Sequence, residues 1–159
     1  MQIFDASSII HAWDNYPIEQ FPKLWNWLAI EIQSNRLCIA NVAFNEVKNK
    51  SPDCSEWLKK EAEIKRIAES NDILQCALQI QSLLRIQNDR YGGGVGENDI
   101  LIIATAKVEG MDLISDEKLQ IKLPQKLTNY KIPAVCQMQD VSVVCIKFLE
   151  LLKQSGTVF

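Results

Sequence analysis

The chain has 159 residues, with 17 Lys and Arg against 20 Asp and Glu, a formal net charge of −3, and 47% hydrophobic residues. That length fits one domain, residues 1–159, able to bury a core. The charge balance argues against a protein that coats nucleic acid non-specifically, unless a metal neutralises several of the acids. No apolar run is long enough to span a bilayer, and Asp5 interrupts the first apolar stretch, which argues against a signal peptide.

Cys38, Cys54, Cys76, Cys136 and Cys145 form no C-x-x-C pair and lie mostly in apolar periodic segments. They are expected to be reduced packing residues in a cytoplasmic protein. His11 is the only histidine, so no zinc site is expected, and His11 itself is expected on a helix surface or in packing.

In chain order, Ile3-Phe4 reads as a short buried strand stopping on Asp5, and Ser7 or Ser8 can cap a helix through Ile9, Ile10, Ala12 and Trp13. Pro22 opens a helix to about Ser34, with Leu24, Trp25, Leu28 and Ile32 at helical spacing. Leu37–Ala40 is a second buried strand. Asn41 can cap a helix from Val42 to about Lys50, on which Glu46 shares a face with Val42 and Ala43. An inward carboxylate there is costly unless compensated; snorkelling to the rim is the alternative.

Ser51-Pro52-Asp53 starts a long charged helix with a stripe from Trp57 to Ala68, and a further helix runs from about Ile73 to Asn88. The pair reads as a helical hairpin, a surface for a partner or a second protomer. Lys59, Lys60, Lys65 and Arg66 read as a solvated face. The loop to Asn98 holds Gly92-Gly93-Gly94-Val95-Gly96, which meets neither nucleotide-binding fingerprint and is expected to be a mobile loop beside a site, with Arg90 and Tyr91 available to touch RNA.

The run Ile100–Val108 is read as a buried helix ended by Gly110, with Asp99 in its first turn as a capping carboxylate or as something more. Met111–Ser115 is a third strand ending on Asp116-Glu117, the same strand–hydroxyl–acid pattern as the N-terminus. Adjacent residues leave a strand end in opposite directions, so either acid can face the site. Lys131–Cys136 is expected to be an edge strand tolerating Pro133, and Gln139–Gln154 a last helix. The alternation predicts an α/β fold: a three-layer α/β/α sandwich with a mostly parallel central sheet of four to five strands.

Asp5, Glu46, Asp99 and Asp116 (or Glu117) each stand at a strand end or early in the following helix. In a parallel sheet such positions share one edge, so these acids can converge. An oxygen-only set suits Mg²⁺ or Mn²⁺, and such ions promote phosphodiester hydrolysis. An aspartyl-nucleophile phosphatase also begins on a strand-end Asp, but it needs a second Asp two positions on, where Ser7 stands.

These residues resemble the PIN-domain nucleases: a hydrophobic strand ending D-x-S/T (Asp5-Ala6-Ser7), an inward Glu (Glu46), an Asp before an A-x-A helix (Asp99, Ala104-Thr105-Ala106) and a late strand-end acid (Ser115-Asp116-Glu117). Tyr16–Leu28 and Ile132–Cys136 are similar to an uncharacterised bacterial PIN branch. The resemblance spans nearly the whole chain and implies a VapC-like toxin. Such a toxin cleaves RNA with Mg²⁺ or Mn²⁺, often forms homodimers and is held by a cognate antitoxin. Asp5, Glu46, Asp99 and Asp116 would be the catalytic metal-site acids, with Glu117 as the alternative to Asp116, because the family's last acid often follows Ser/Thr by two positions. Ser7 and Ser115 would orient carboxylates or metal water, or simply cap and turn the backbone. A catalytically silent PIN-like module binding RNA or protein is the rival reading.

Overall fold

The computed structural model describes every residue, Met1–Phe159. Five parallel strands form one sheet, in the order β3-β2-β1-β4-β5 along the sheet. β1 (Gln2–Phe4) lies at its centre, where Ile3 and Phe4 are fully buried. Parallel strands covered on both faces have no polar side, which is why this run is continuous rather than alternating. α1 (Ala6–Asn15) follows at once, then α2 (Pro22–Gln33), with Pro22 in its first turn. β2 (Leu37–Ala40), buried at all four positions, pairs with β1, Gln2 standing opposite Leu37. α3 (Asn41–Lys50) and α4 (Pro52–Lys60) come next. Trp25 of α2, Trp13 of α1 and Trp57 of α4 pack together, edge to face where Trp25 meets the other two and tilted at 47° between Trp13 and Trp57, centroids 4.8 to 6.2 Å apart, and Trp25 Nε1 donates to Tyr16 O at 2.6 Å.

The long helix expected through Ala68 stops at Lys60. Glu63 takes a left-handed φ of 53°, and the chain turns into β3 (Arg66–Ile67), a two-residue edge strand beside β2. Ile64 and Ile67 therefore pack from a turn and a strand, not from a helical hairpin. α5 (Asn71–Leu83) ends sooner than expected, and Ser70 caps it by accepting from Ile73 N at 3.2 Å. α6 (Glu97–Glu109) is the buried helix expected, with Ile100 and Ile102–Ala106 all inside and Gly110 closing it at φ 64°. β4 (Asp112–Ile114) returns to the far side of β1.

Two expectations at the C-terminal end are corrected. Ile132–Gln137 is α7, not an edge strand: Pro133 sits in a first helical turn, where its missing N–H costs nothing. The edge strand lies inside the helix expected over Gln139–Gln154, as β5 (Cys145–Ile146) beside β4, and α8 begins only at Phe148 and runs to Ser155. Ser142 turns the chain at φ 50°, and the β-branched Val141, Val143, Val144 and Ile146 favour extended backbone there. The result is an α/β fold with helices over both faces of an all-parallel sheet, and buried side chains from Ile3 to Leu151 form one core. All five cysteines are free thiols, four of them buried.

The glycine loop is not loose. Gly94 N donates to Thr128 O (3.1 Å), Val95 N to Tyr130 O (2.8 Å) and Gly93 N to Asn129 Oδ1 (2.9 Å), pinning it against residues 128–130.

Candidate active site

β1, β2 and β4 all end on the same edge of the sheet, and the residues that follow them meet there. Asp5 N donates to Ile114 O at 2.8 Å, and Ser8 Oγ donates to both Asp5 O (2.8 Å) and Ile114 O (2.9 Å), tying the ends of β1 and β4 together. Ser8 therefore locks two strands rather than capping α1. Asp5 holds the N-cap position in extended conformation, and its side chain makes no capping bond. Its carboxylate is instead turned into the edge, buried to 3% exposure.

A relay of hydrogen bonds sets that carboxylate. Ser7 Oγ donates to Asp5 Oδ2 at 2.5 Å and Ser115 Oγ donates to the same oxygen at 2.9 Å. Each hydroxyl in turn accepts a backbone N–H: Ser7 from Asp116 (3.2 Å) and Ser115 from Glu117 (3.3 Å). The accepted N–H groups help direct both hydroxyl protons to Asp5. Both bonds fall on Oδ2, which leaves Oδ1 without a protein donor.

Asp5, Glu46, Asp99 and Glu117 line one cleft of about 210 Å³, together with Ser7, Ile10, His11 and Lys50. Glu46 comes from α3, and its Oε1 accepts from Lys50 Nζ one turn on, at 2.5 Å. Asp99 comes from the first turn of α6, where Oδ2 accepts from Gly96 N at 2.9 Å, so capping and facing the cleft coexist in one side chain. Glu117 Oε2 accepts from Ile132 N at 3.0 Å, which caps α7.

Asp116 is corrected. Its Oδ1 accepts from Phe148 N at 2.9 Å, capping α8, and its Oδ2 stands 3.8 Å from His11 Nδ1, in a neighbouring recess. Successive residues beyond β4 point to opposite sides, and it is Glu117 that turns into the cleft. Arg90 and Tyr91 do not reach the cleft either; the Tyr91 hydroxyl accepts from Gln81 Nε2 at 2.8 Å. Lys50 and His11 join the cleft without having been expected in it. Spacing could have placed both: Lys50 follows Glu46 by four positions, and His11 follows Ser7 by four, so each pair shares a helix face.

Four carboxylates thus face one ammonium. Burial pushes the Asp5 carboxyl up to about 6; its serine partners oppose this, while Asp99 and Glu117 add to it. Burial also raises Asp99, helped by the charges of Glu117 and Glu46 and resisted by the Gly96 N–H and Lys50. The hydrogen bond to Glu46 raises Lys50, with smaller contributions from Asp5 and Asp99. A set of oxygen donors with uncompensated negative charge matches the chemistry of a hard divalent cation. No three His, Cys, Asp or Glu side chains are drawn into a ready-made ligand set, however. Each carboxylate is engaged by a protein donor: serine hydroxyls, Lys50, the Gly96 N–H and the Ile132 N–H. A larger cavity of about 520 Å³ lies elsewhere, between the start of α2 and Phe159, and holds no acid, so the site is assigned by chemistry rather than size.

No helix is long and apolar enough to cross a membrane. No curated protein matches the chain. Among solved structures it is similar to a toxin–antitoxin complex from Klebsiella pneumoniae, at 20% identity over 83% of this chain and 100% of that chain, with a TM-score of 0.50. It is also similar to VapBC2 from Rickettsia felis bound to a DNA fragment from their promoter, at 13% identity over 92% of this chain and 98% of that chain, TM-score 0.56. FitAB bound to the IR36 DNA fragment is a third, at 13% identity over 92% and 94%, TM-score 0.54. At such identities the likeness establishes a shared fold. The model of the family described as Domain of unknown function (DUF4411) matches residues 2–159, and the chain belongs to that family, with a PIN-like fold.

Proposed function

We propose that residues 1–159 form one Mg²⁺- or Mn²⁺-dependent endoribonuclease domain, the toxin of a toxin–antitoxin pair. The observation that carries this is the cleft itself: acids from four separate parts of the chain brought to one edge of a parallel sheet. Similarity to solved toxin–antitoxin complexes supports the biological role. In this reading Asp5 and Asp99 hold the ion, and Glu46 and Glu117 complete its shell or hold the attacking water. Ser7 and Ser115 are positioning residues that act through Asp5. Such an ion, when bound, polarises a phosphoryl oxygen and makes hydroxide available near neutral pH. Lys50, which lines the cleft and bonds Glu46, would have to give up that bond for Glu46 to join an ion's shell, and its ammonium would then be free to meet a phosphate of the RNA backbone. RNA as substrate, a cognate antitoxin, a homodimer and a cytoplasmic setting belong to the same proposal.

A catalytically silent module is favoured by one observation, the engagement of every cleft carboxylate by a protein donor. Purified protein incubated with single-stranded and structured RNAs in Mg²⁺, Mn²⁺ or EDTA separates the two. Cleavage requiring metal and lost in Asp5→Asn and Asp99→Asn is the expected result. Metal-independent cleavage, or cleavage indifferent to both substitutions, refutes the mechanism; a folded, metal-binding protein that cleaves nothing supports the silent module.

The two acids after β4 are expected to part company. Asp116→Ala removes the α8 cap and lowers stability by about 1 kcal/mol in a urea melt, with cleavage retained. Glu117→Gln keeps an acceptor for Ile132 N and lowers cleavage about tenfold or more, about 1.4 kcal/mol of transition-state stabilisation.

A further inference from the structure

α3 borders a second recess. Beside the face that carries Glu46 and Lys50 into the acid cleft, Asn45 and Lys48 line a recess of about 120 Å³ shared with Lys59 of α4 and Arg66 of β3. Three cations meet there in a chain whose net charge is −3. The one carboxylate in the recess, Glu56, is taken by Lys60 Nζ at 2.7 Å, and none of Lys48, Lys59 and Arg66 has a carboxylate within ion-pair distance. Lys60, with Lys59 and Lys48 adding to it, holds the Glu56 carboxyl below its usual range, so the surroundings are positive as well as crowded with cations.

Arg66 is not a free arm. Its guanidinium lies 4.7 Å from the centroid of the buried Phe44 ring, and β3 fixes its backbone against Ile39. A stacked guanidinium, two ammoniums and an amide suit a phosphate oxyanion. The volume suits a single such group, being well below the ~300 Å³ at which pockets for whole small molecules begin. Recess and acid cleft are divided by one helix, about 10–12 Å across with its side chains, a distance that a short single-stranded stretch spans.

We propose that this recess is a phosphate subsite for the RNA strand, gripping the backbone on the far side of α3 from the phosphate to be cleaved. It rests on the ribonuclease reading above and adds where the strand runs. Such a grip positions the strand and carries no base preference.

The test uses the full chain bearing Asp5→Asn, which binds without cutting, and a labelled single-stranded oligoribonucleotide of about a dozen nucleotides titrated over a range of salt. Lys48 and Lys59 are both exposed, so changing them should not disturb folding. Adding Lys48→Gln and Lys59→Gln should weaken binding about tenfold and flatten the salt slope by about 0.7 for each phosphate no longer neutralised. Arg66→Gln should do likewise, its folding checked by thermal melt. Lys122→Gln with Lys126→Gln, which line neither the recess nor the cleft, should change neither quantity. Unchanged affinity and slope in the recess variants, while the wild-type chain cleaves RNA, overturns the subsite and leaves the ribonuclease standing. An equal effect in the control pair overturns it in favour of diffuse charge. Neither binding nor cleavage of any RNA by the wild-type chain overturns both.

Discussion

Replacing Asp5 by Asn should stop RNA cleavage and, in metal-free protein at neutral pH, make the fold more stable. The buried Asp5 carboxyl is pushed up to about 6, against 3.8 for the unfolded chain. A proton is therefore held more tightly in the native state, and the native state loses ground as pH rises from about 4 to above 6. A difference of roughly two pKa units corresponds to at most about 3 kcal/mol. For a chain of this length that is several degrees in melting temperature. Asn keeps the shape and an acceptor for Ser7 and Ser115 without the charge. Wild-type protein in EDTA should melt higher at pH 5 than at pH 7; Asp5→Asn should show a smaller difference, the remainder coming from Asp99, whose carboxyl is also raised. Mn²⁺ at pH 7 should raise the wild-type melt and leave the variant where it was. Identical pH profiles for the two proteins would show that the Asp5 carboxylate is not the stressed group, and retained cleavage would remove it from the mechanism.

Gly94→Ala should destabilise the protein by about 3 kcal/mol, the upper end of what overpacking costs. A Cβ there would overlap the Tyr130 carbonyl oxygen and stand 2.5 Å from the Asn129 carbonyl carbon, and backbone cannot swing aside as a side-chain tip can. Gly93→Ala is the control: the nearest atom to its Cβ would be Asn129 Oδ1, at an ordinary 3.5 Å. Val95 and Gly96 lead directly into α6, so the strain in Gly94→Ala reaches Asp99 and should weaken metal binding as well as folding. Urea unfolding and Mn²⁺ titration of both variants check this; a Gly94→Ala protein as stable as Gly93→Ala would mean that the loop yields.

Much of the architecture is legible in the sequence because the informative patterns are local. Ile3-Phe4 before Asp5, Leu37–Ala40, and the alanine-rich run closed by Gly110 each carry their own period and stop signal, and they place Asp5, Glu46 and Asp99. Legibility fails where tertiary pairing overrides local preference. Arg66-Ile67 continues an apolar stripe at helical spacing, yet the open edge of β2 recruits it as a strand. Cys145-Ile146 is likewise drawn out of a helical period by the edge of β4. Pro133 allows both an edge strand and a first helical turn, and the Glu117 carboxylate capping Ile132 N goes with the helix. The choice between Asp116 and Glu117 also lies beyond the sequence. It depends on which helix N-terminus each acid reaches, and neither helix stands where its local period would start it.

Both borders of the sheet end in two-residue strands, β3 and β5. Borders this short offer too few free backbone groups to template lateral growth, so the molecule is protected against edge-to-edge aggregation. They equally withhold β-augmentation from any binding partner. On the toxin reading proposed above, an antitoxin would therefore have to grip side chains on helices and loops, and its recognition should tolerate changes along either border while failing on changes to those outer surfaces.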